Sequence, residues 1–166
     1  FHRLHLHLLL LVLVALVILI PRSLAITREQ SERVDDQYHL VRGIAYLRGD
    51  LLARADLPLN DPPLGEGVTV LPLWLARCWA GNAHVTDALY GHRFTADQIL
   101  AVIGLWKSLL FIPGLIVIFL WCRDLYGIAA GWLAATIVLI EPTFAAHIPL
   151  PTIDVLGVEA IVIACY

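Results

Sequence analysis

The sequence contains no methionine, and only 15% of its 166 residues are charged. Soluble domains carry about 25% charge and about 45–50% apolar residues. Here 60% of residues are hydrophobic, and the mean hydropathy is +0.80. That balance argues against an ordinary soluble enzyme and for a chain that lives in a membrane. The net charge is −3, and basic residues form no patch; nucleic acid is excluded as a partner. Three cysteines, Cys78, Cys122 and Cys165, make no CxxC pair and no zinc spacing. The chain starts at Phe1, and an apolar run is still open at Tyr166. The expectation is therefore an N-terminal piece of a longer membrane protein.

What is present is long apolar runs. Residues 4–20 are apolar except for His5 and His7. Seventeen residues at 1.5 Å rise give about 26 Å, close to the least that crosses a bilayer. Pro21 and Arg22 are expected to end this span. A cleaved signal sequence is the alternative, with Arg3 ahead of the apolar run and Ser23-Leu24-Ala25 as its cleavage site. Further runs at 99–122, 128–140 and 154–166 predict three more spans, the last truncated. Lys107 and Pro113-Gly114 interrupt the second, and Glu141-Pro142 ends the third. The fold class expected is all-α: a polytopic helical membrane protein with about four spans in this piece.

Residues 22–97 differ in character. They hold 8 of the 11 basic and 10 of the 14 acidic residues, so they read as one long polar loop between the first two spans. Within it, Val34–Leu47 repeats apolar residues at i+3 and i+4: Tyr38, Val41, Ala45 and Leu40, Ile44, Leu47. Glu29, Glu32, Asp35 and Asp36 precede or open that helix, where carboxylates favour the positive end of the helix dipole. Gly49 ends it. Pro62-Pro63 opens a second segment. Val68–Trp79 is apolar with few charges, which suits a helix lying in the membrane interface, with Trp74 and Trp79 at the boundary.

Asp35, His39, Arg42 and Tyr46 fall at i, i+4, i+7 and i+11. One helix face then offers a carboxylate, an imidazole, a guanidinium and a phenol, a set able to bind a sugar and a phosphate. The same spacing also fits a solvated face with an Asp–His pair. Asp36 points about 100° away; with Asp35 it could share a metal or divide the roles of base and orienter. Lys107 lies inside a span, where an ionisable group is either functional or snorkels to the interface. Asp154 opens the fourth span and Glu159 lies inside it; Asp154 is the better functional candidate, while Glu159 suits a pairing with a helix missing from this piece. His84, Asp87 and His92 have no metal spacing and read as surface residues.

Several of these residues occur in a familiar order. Asp35-Asp36-Gln37-Tyr38-His39 with Gly43, Tyr46 and Gly49-Asp50 resembles the D-E-x-x-H-x-x-x-G-x-x-Y…G-D stretch of the GT-C membrane glycosyltransferases, which include protein O-mannosyltransferases and aminoarabinose transferases. Asn60-Asp61-Pro62-Pro63-Leu64 resembles their E-[HK]-P-P-L, and Leu71-Pro72-Leu73 the P-L-L that follows. Tyr90-Gly91-His92-Arg93-Phe94 is similar to G-H-x-F. Arg123-Asp124-Leu125-Tyr126-Gly127 is similar to R-x-L-[FY]-G, and Pro142, His147 and Thr152-Ile153-Asp154 to the S-P…H…T-D connection. The chain departs from the pattern at Asp36, Asn60, Asp61 and Lys107, where the family carries glutamate, glutamate, a basic residue and often arginine.

The resemblance implies inverting transfer of a sugar from a polyprenyl- or dolichyl-phosphate donor to an acceptor hydroxyl on a protein or glycolipid. Asp35 would be the general base, with Asp36 beside it. His39, Arg42, Tyr46, Asp61, Lys107 and Asp154 would line the substrate and phosphate site. It leaves the cofactor unknown; a divalent metal, if used, would fall to Asp35 and Asp36. It puts the protein in a bacterial inner or plasma membrane or the endoplasmic reticulum membrane, among lipids, with residues 22–97 facing away from the cytoplasm. The alternatives are a non-catalytic polytopic membrane protein, such as a transporter segment or assembly partner, and a relative that has lost activity.

Overall fold

The computed structural model describes residues 2–29, 34–49, 63–76 and 95–166, with the side chains of α2 described from Tyr38 onward. Most of the described residues lie in helices: α1 (His2–Glu29), α2 (Val34–Arg48), α3 (Pro63–Leu75), α4 (Ala96–Tyr126), α5 (Ile128–Ile140), α6 (Pro142–His147) and α7 (Asp154–Cys165). Two of them, α1 and α4, are long and apolar enough to cross a membrane.

α1 does not stop at Pro21. It continues to Glu29, with the proline inside the helix. Proline removes one backbone donor, but packing beyond it holds the helix together. Arg22 Nη1 donates to the Leu139 carbonyl of α5 at 3.2 Å. Thr27 Oγ1 donates to the Ser23 carbonyl at 3.0 Å. Ser23 and Thr27 press on Gly104 of α4, where a Cβ would lie only 2.7 Å from Ser23 Oγ. Sequence periodicity registers the proline but not this contact.

α4 is likewise one unbroken helix, although Lys107 and Pro113-Gly114 lie within it. Its start is a capping box: Thr95 Oγ1 accepts from Gln98 N at 3.3 Å, and Gln98 Oε1 accepts from Thr95 N at 3.0 Å. Its end is Gly127, whose φ of 91° lies in the left-handed region that favours glycine. That turn folds α5 back along α4. The approach is close: a Cβ on Gly131 would lie 2.7 Å from the Phe119 carbonyl oxygen.

One apolar core joins α1, α4, α5 and α7 through Leu11, Leu19, Phe111, Leu115, Phe119, Leu139 and Val155. The outward sides of α1, α5 and α7 stay apolar and exposed, with Leu6, Leu13, Val17, Leu133, Ile137 and Ile161 among them. A second core packs α2 and α3 on the first turns of α4 through Leu40, Ile44, Val70, Leu73, Ile99 and Ile103. Trp106 Nε1 donates to the Val68 carbonyl at 2.9 Å and ties α3 to α4. The described part of the apolar segment expected at Val68–Trp79 is thus helical, in a helix that starts at Pro63 with Pro72 inside it, and it packs against protein; Trp79 lies outside the described residues.

Candidate functional site

α2 meets α3 where both backbones come close. A Cβ on Gly43 would lie 2.5 Å from the Glu66 carbonyl oxygen. One turn further on, a Cβ on Gly67 would lie 2.7 Å from Tyr46 Cδ1, so the phenol ring lies across α3. The crossing puts the Glu66 carboxylate against successive turns of α2. Glu66 Oε1 stands 3.2 Å from His39 Nδ1 and 3.1 Å from Arg42 Nε. Glu66 is 0% exposed and Arg42 4%; the His39 side chain is 14% exposed. The Arg42 Nε contact is a close charge pairing without the alignment of a hydrogen bond. Among the described residues Glu66 Oε2 is buried without a hydrogen-bond partner. A carboxylate taken out of water loses several kcal/mol of hydration, which only paired charge offsets.

Lys107 is the third buried ion, at 1% exposure. It does not snorkel. Its Nζ donates to the Leu150 carbonyl at 2.5 Å and to the Thr152 carbonyl, both in the connection between α6 and α7. The start of α3 touches the same connection: a Cβ on Gly65 would lie 3.1 Å from Ile153 Cγ2. Residues 150–153 therefore join the Lys107 anchor to the helix that carries Glu66.

Of the residues expected to act together, His39, Arg42 and Tyr46 share the face of α2 that meets α3. Asp35 and Asp36 lie on the first turn of α2 by backbone, their side chains outside the described residues; Asp61 is outside them altogether. Asp154 opens α7 and is exposed. It borders a cavity of about 300 Å³ with Thr143, Phe144, His147, Val155 and Val158. Glu159 finds its partner within the chain: its Oε1 accepts from Gly114 N at 2.9 Å, beside the proline of α4. No group of three His, Cys, Asp or Glu side chains among the described residues is placed to hold a metal ion.

Glu66 was missed by motif reading, although the sequence carries a signal for it. It is the one acid in the apolar stretch from Pro62 to Leu75, and an ionisable group in such a setting is a functional candidate by default.

Comparison with protein-family models, curated proteins and solved structures finds no match to this chain.

Proposed function

We propose that this chain is part of a membrane glycosyltransferase of the GT-C kind, which moves a sugar from a polyprenyl- or dolichyl-phosphate donor to an acceptor hydroxyl. In this reading α1, α4, α5 and α7 are its first four spans, and the stretch between α1 and α4 lies on the side away from the cytoplasm. Asp35 takes the proton of the acceptor hydroxyl as the oxygen attacks the anomeric carbon. The bond from that carbon to the phosphate oxygen breaks with inversion, and the lipid phosphate leaves.

One observation carries the reading. The helix bearing Asp35 is built into the protein: Leu40 and Ile44 are fully buried, and its His39–Arg42 face is fixed by a buried carboxylate. A merely solvated face needs neither. A departing phosphate requires preorganised positive charge. Arg42 is engaged by Glu66 and Lys107 by carbonyl oxygens, so direct phosphate ligation falls to other groups.

The test is Asp35→Asn in the full-length protein, assayed for transfer of sugar from a polyprenyl-phosphate donor. Loss of transfer with membrane insertion intact is expected. Transfer at the parental rate would remove Asp35 as the base.

A further inference from the structure

The Glu66 carboxylate is more than the packing of two helices requires. Apolar residues of similar size often pack such a site at equal or lower cost. What a charge adds is direction. Glu66 Oε1 faces His39 Nδ1 and Arg42 Nε together, and those residues stand three positions apart on one face of α2. Only one rotation of α2 about its axis brings both to the same oxygen. A one-residue slip would turn them about 100° away. By backbone, Asp35 stands four positions before His39, about one turn earlier on α2. The close approach at Gly43 leaves no room for α3 to follow a rotated α2.

We infer that Glu66 is a positioning residue. By clamping His39 and Arg42 it fixes the rotation of α2, and so the placement of the turn that carries Asp35. The inference rests on the glycosyltransferase reading for its catalytic consequence, but the clamp itself is measurable without activity.

Glu66→Gln keeps the shape and removes the charge; Glu66→Asp keeps the charge and shortens the reach. Both are made in the full-length protein in lipid nanodiscs. Hydrogen exchange is followed over residues 34–48 against residues 96–126, and sugar transfer is measured with a polyprenyl-phosphate sugar. With Glu66→Gln, exchange in 34–48 should rise about tenfold while 96–126 stays at the parental level. The kcat should fall about tenfold to a hundredfold, as misplacement of a reacting group does, and the donor KM should stay within about twofold. Glu66→Asp should recover part of both. Unchanged exchange in 34–48 overturns the clamp. A raised KM at parental kcat overturns the positioning role and makes Glu66 a binding group. Should Glu66→Gln fail to insert, Glu66→Asp and Arg42→Lys carry the same test: each is expected to show a smaller rise confined to 34–48, and parental exchange in both overturns the clamp. If the parent protein transfers no sugar, the functional reading fails, and the exchange measurement still decides on Glu66.

Discussion

The ammonium of Lys107 donates to the carbonyl oxygen of Leu150 at 2.5 Å, and so pins the middle of α4 to the connection between α6 and α7. The Thr152 carbonyl is a second acceptor. Both oxygens belong to a segment with no helix of its own to satisfy them. Lys107→Met keeps the length and apolar bulk of the side chain and deletes the donor. It should destabilise the protein by roughly 1–3 kcal/mol, the cost of stranding a buried acceptor. Lys107→Arg should lose less, because the guanidinium still offers donors. Denaturant unfolding of the detergent-solubilised protein reads both.

Gly43 gives a prediction of the opposite kind, in which an added methyl group is harmful. A Cβ there would lie 2.5 Å from the Glu66 carbonyl oxygen, 2.8 Å from its carbon and 2.9 Å from Val70 Cγ2. Two of those atoms are backbone and cannot turn aside. Gly43→Ala must therefore push α2 away from α3, at a cost of about 1–3 kcal/mol. It should do so although alanine is the better helix former. A variant as stable as the parent in the same unfolding assay would show that the two helices do not cross at this point.

How far the sequence could be read varied with the kind of physics involved. Apolar runs and i+3/i+4 spacing are local, so the helical character of Val34–Leu47 and of the run after Gly127 was legible. Proline was an uneven guide: Glu141-Pro142 does end α5, but Pro21 does not end α1. Pro21 and Pro113 lie inside α1 and α4 because distant residues support them: Leu139 accepts from Arg22, and Glu159 accepts from Gly114. The site divides along the same line. The helical spacing of His39, Arg42 and Tyr46 was visible; their meeting with Glu66 was not, since it depends on how α3 crosses α2. Lys107 could be read as buried or snorkelling until its carbonyl partners were known.

Glu141 gives a pH dependence. It caps α6, its Oε2 accepting from Phe144 N at 2.7 Å. That bond holds its carboxyl below the ordinary value of 4.5; burial opposes the shift, while Thr143 and Arg22 act with it. A carboxyl with a depressed folded-state value stabilises the fold above its unfolded value, and the contribution is lost as pH falls through the folded one. The gap in unfolding temperature between the parent and Glu141→Ala should stay constant from neutral pH down to about 5 and then shrink toward acid. A gap that widens toward acid would contradict this sign.

Glu159 separates acceptor from charge. Its Oε1 receives the Gly114 N–H at 2.9 Å, and a Cβ on Gly114 would lie 2.6 Å from Glu159 Cγ. The glycine is what lets α7 come this close to α4. The bond needs an oxygen, not an ion. Glu159→Gln supplies a carbonyl oxygen on the same stem and should unfold within about 1 kcal/mol of the parent. Glu159→Leu fills the same space, leaves the buried N–H without this acceptor, and should lose roughly 1–3 kcal/mol. If Glu159→Gln instead lost as much as Glu159→Leu, the negative charge itself would be needed. Glu159 would then act on a cation in the same core, and Lys107 is the one buried on α4. A Lys107→Met background resolves the two cases: an effect of Glu159→Gln that vanishes there is electrostatic, and one that persists comes from the geometry of the amide.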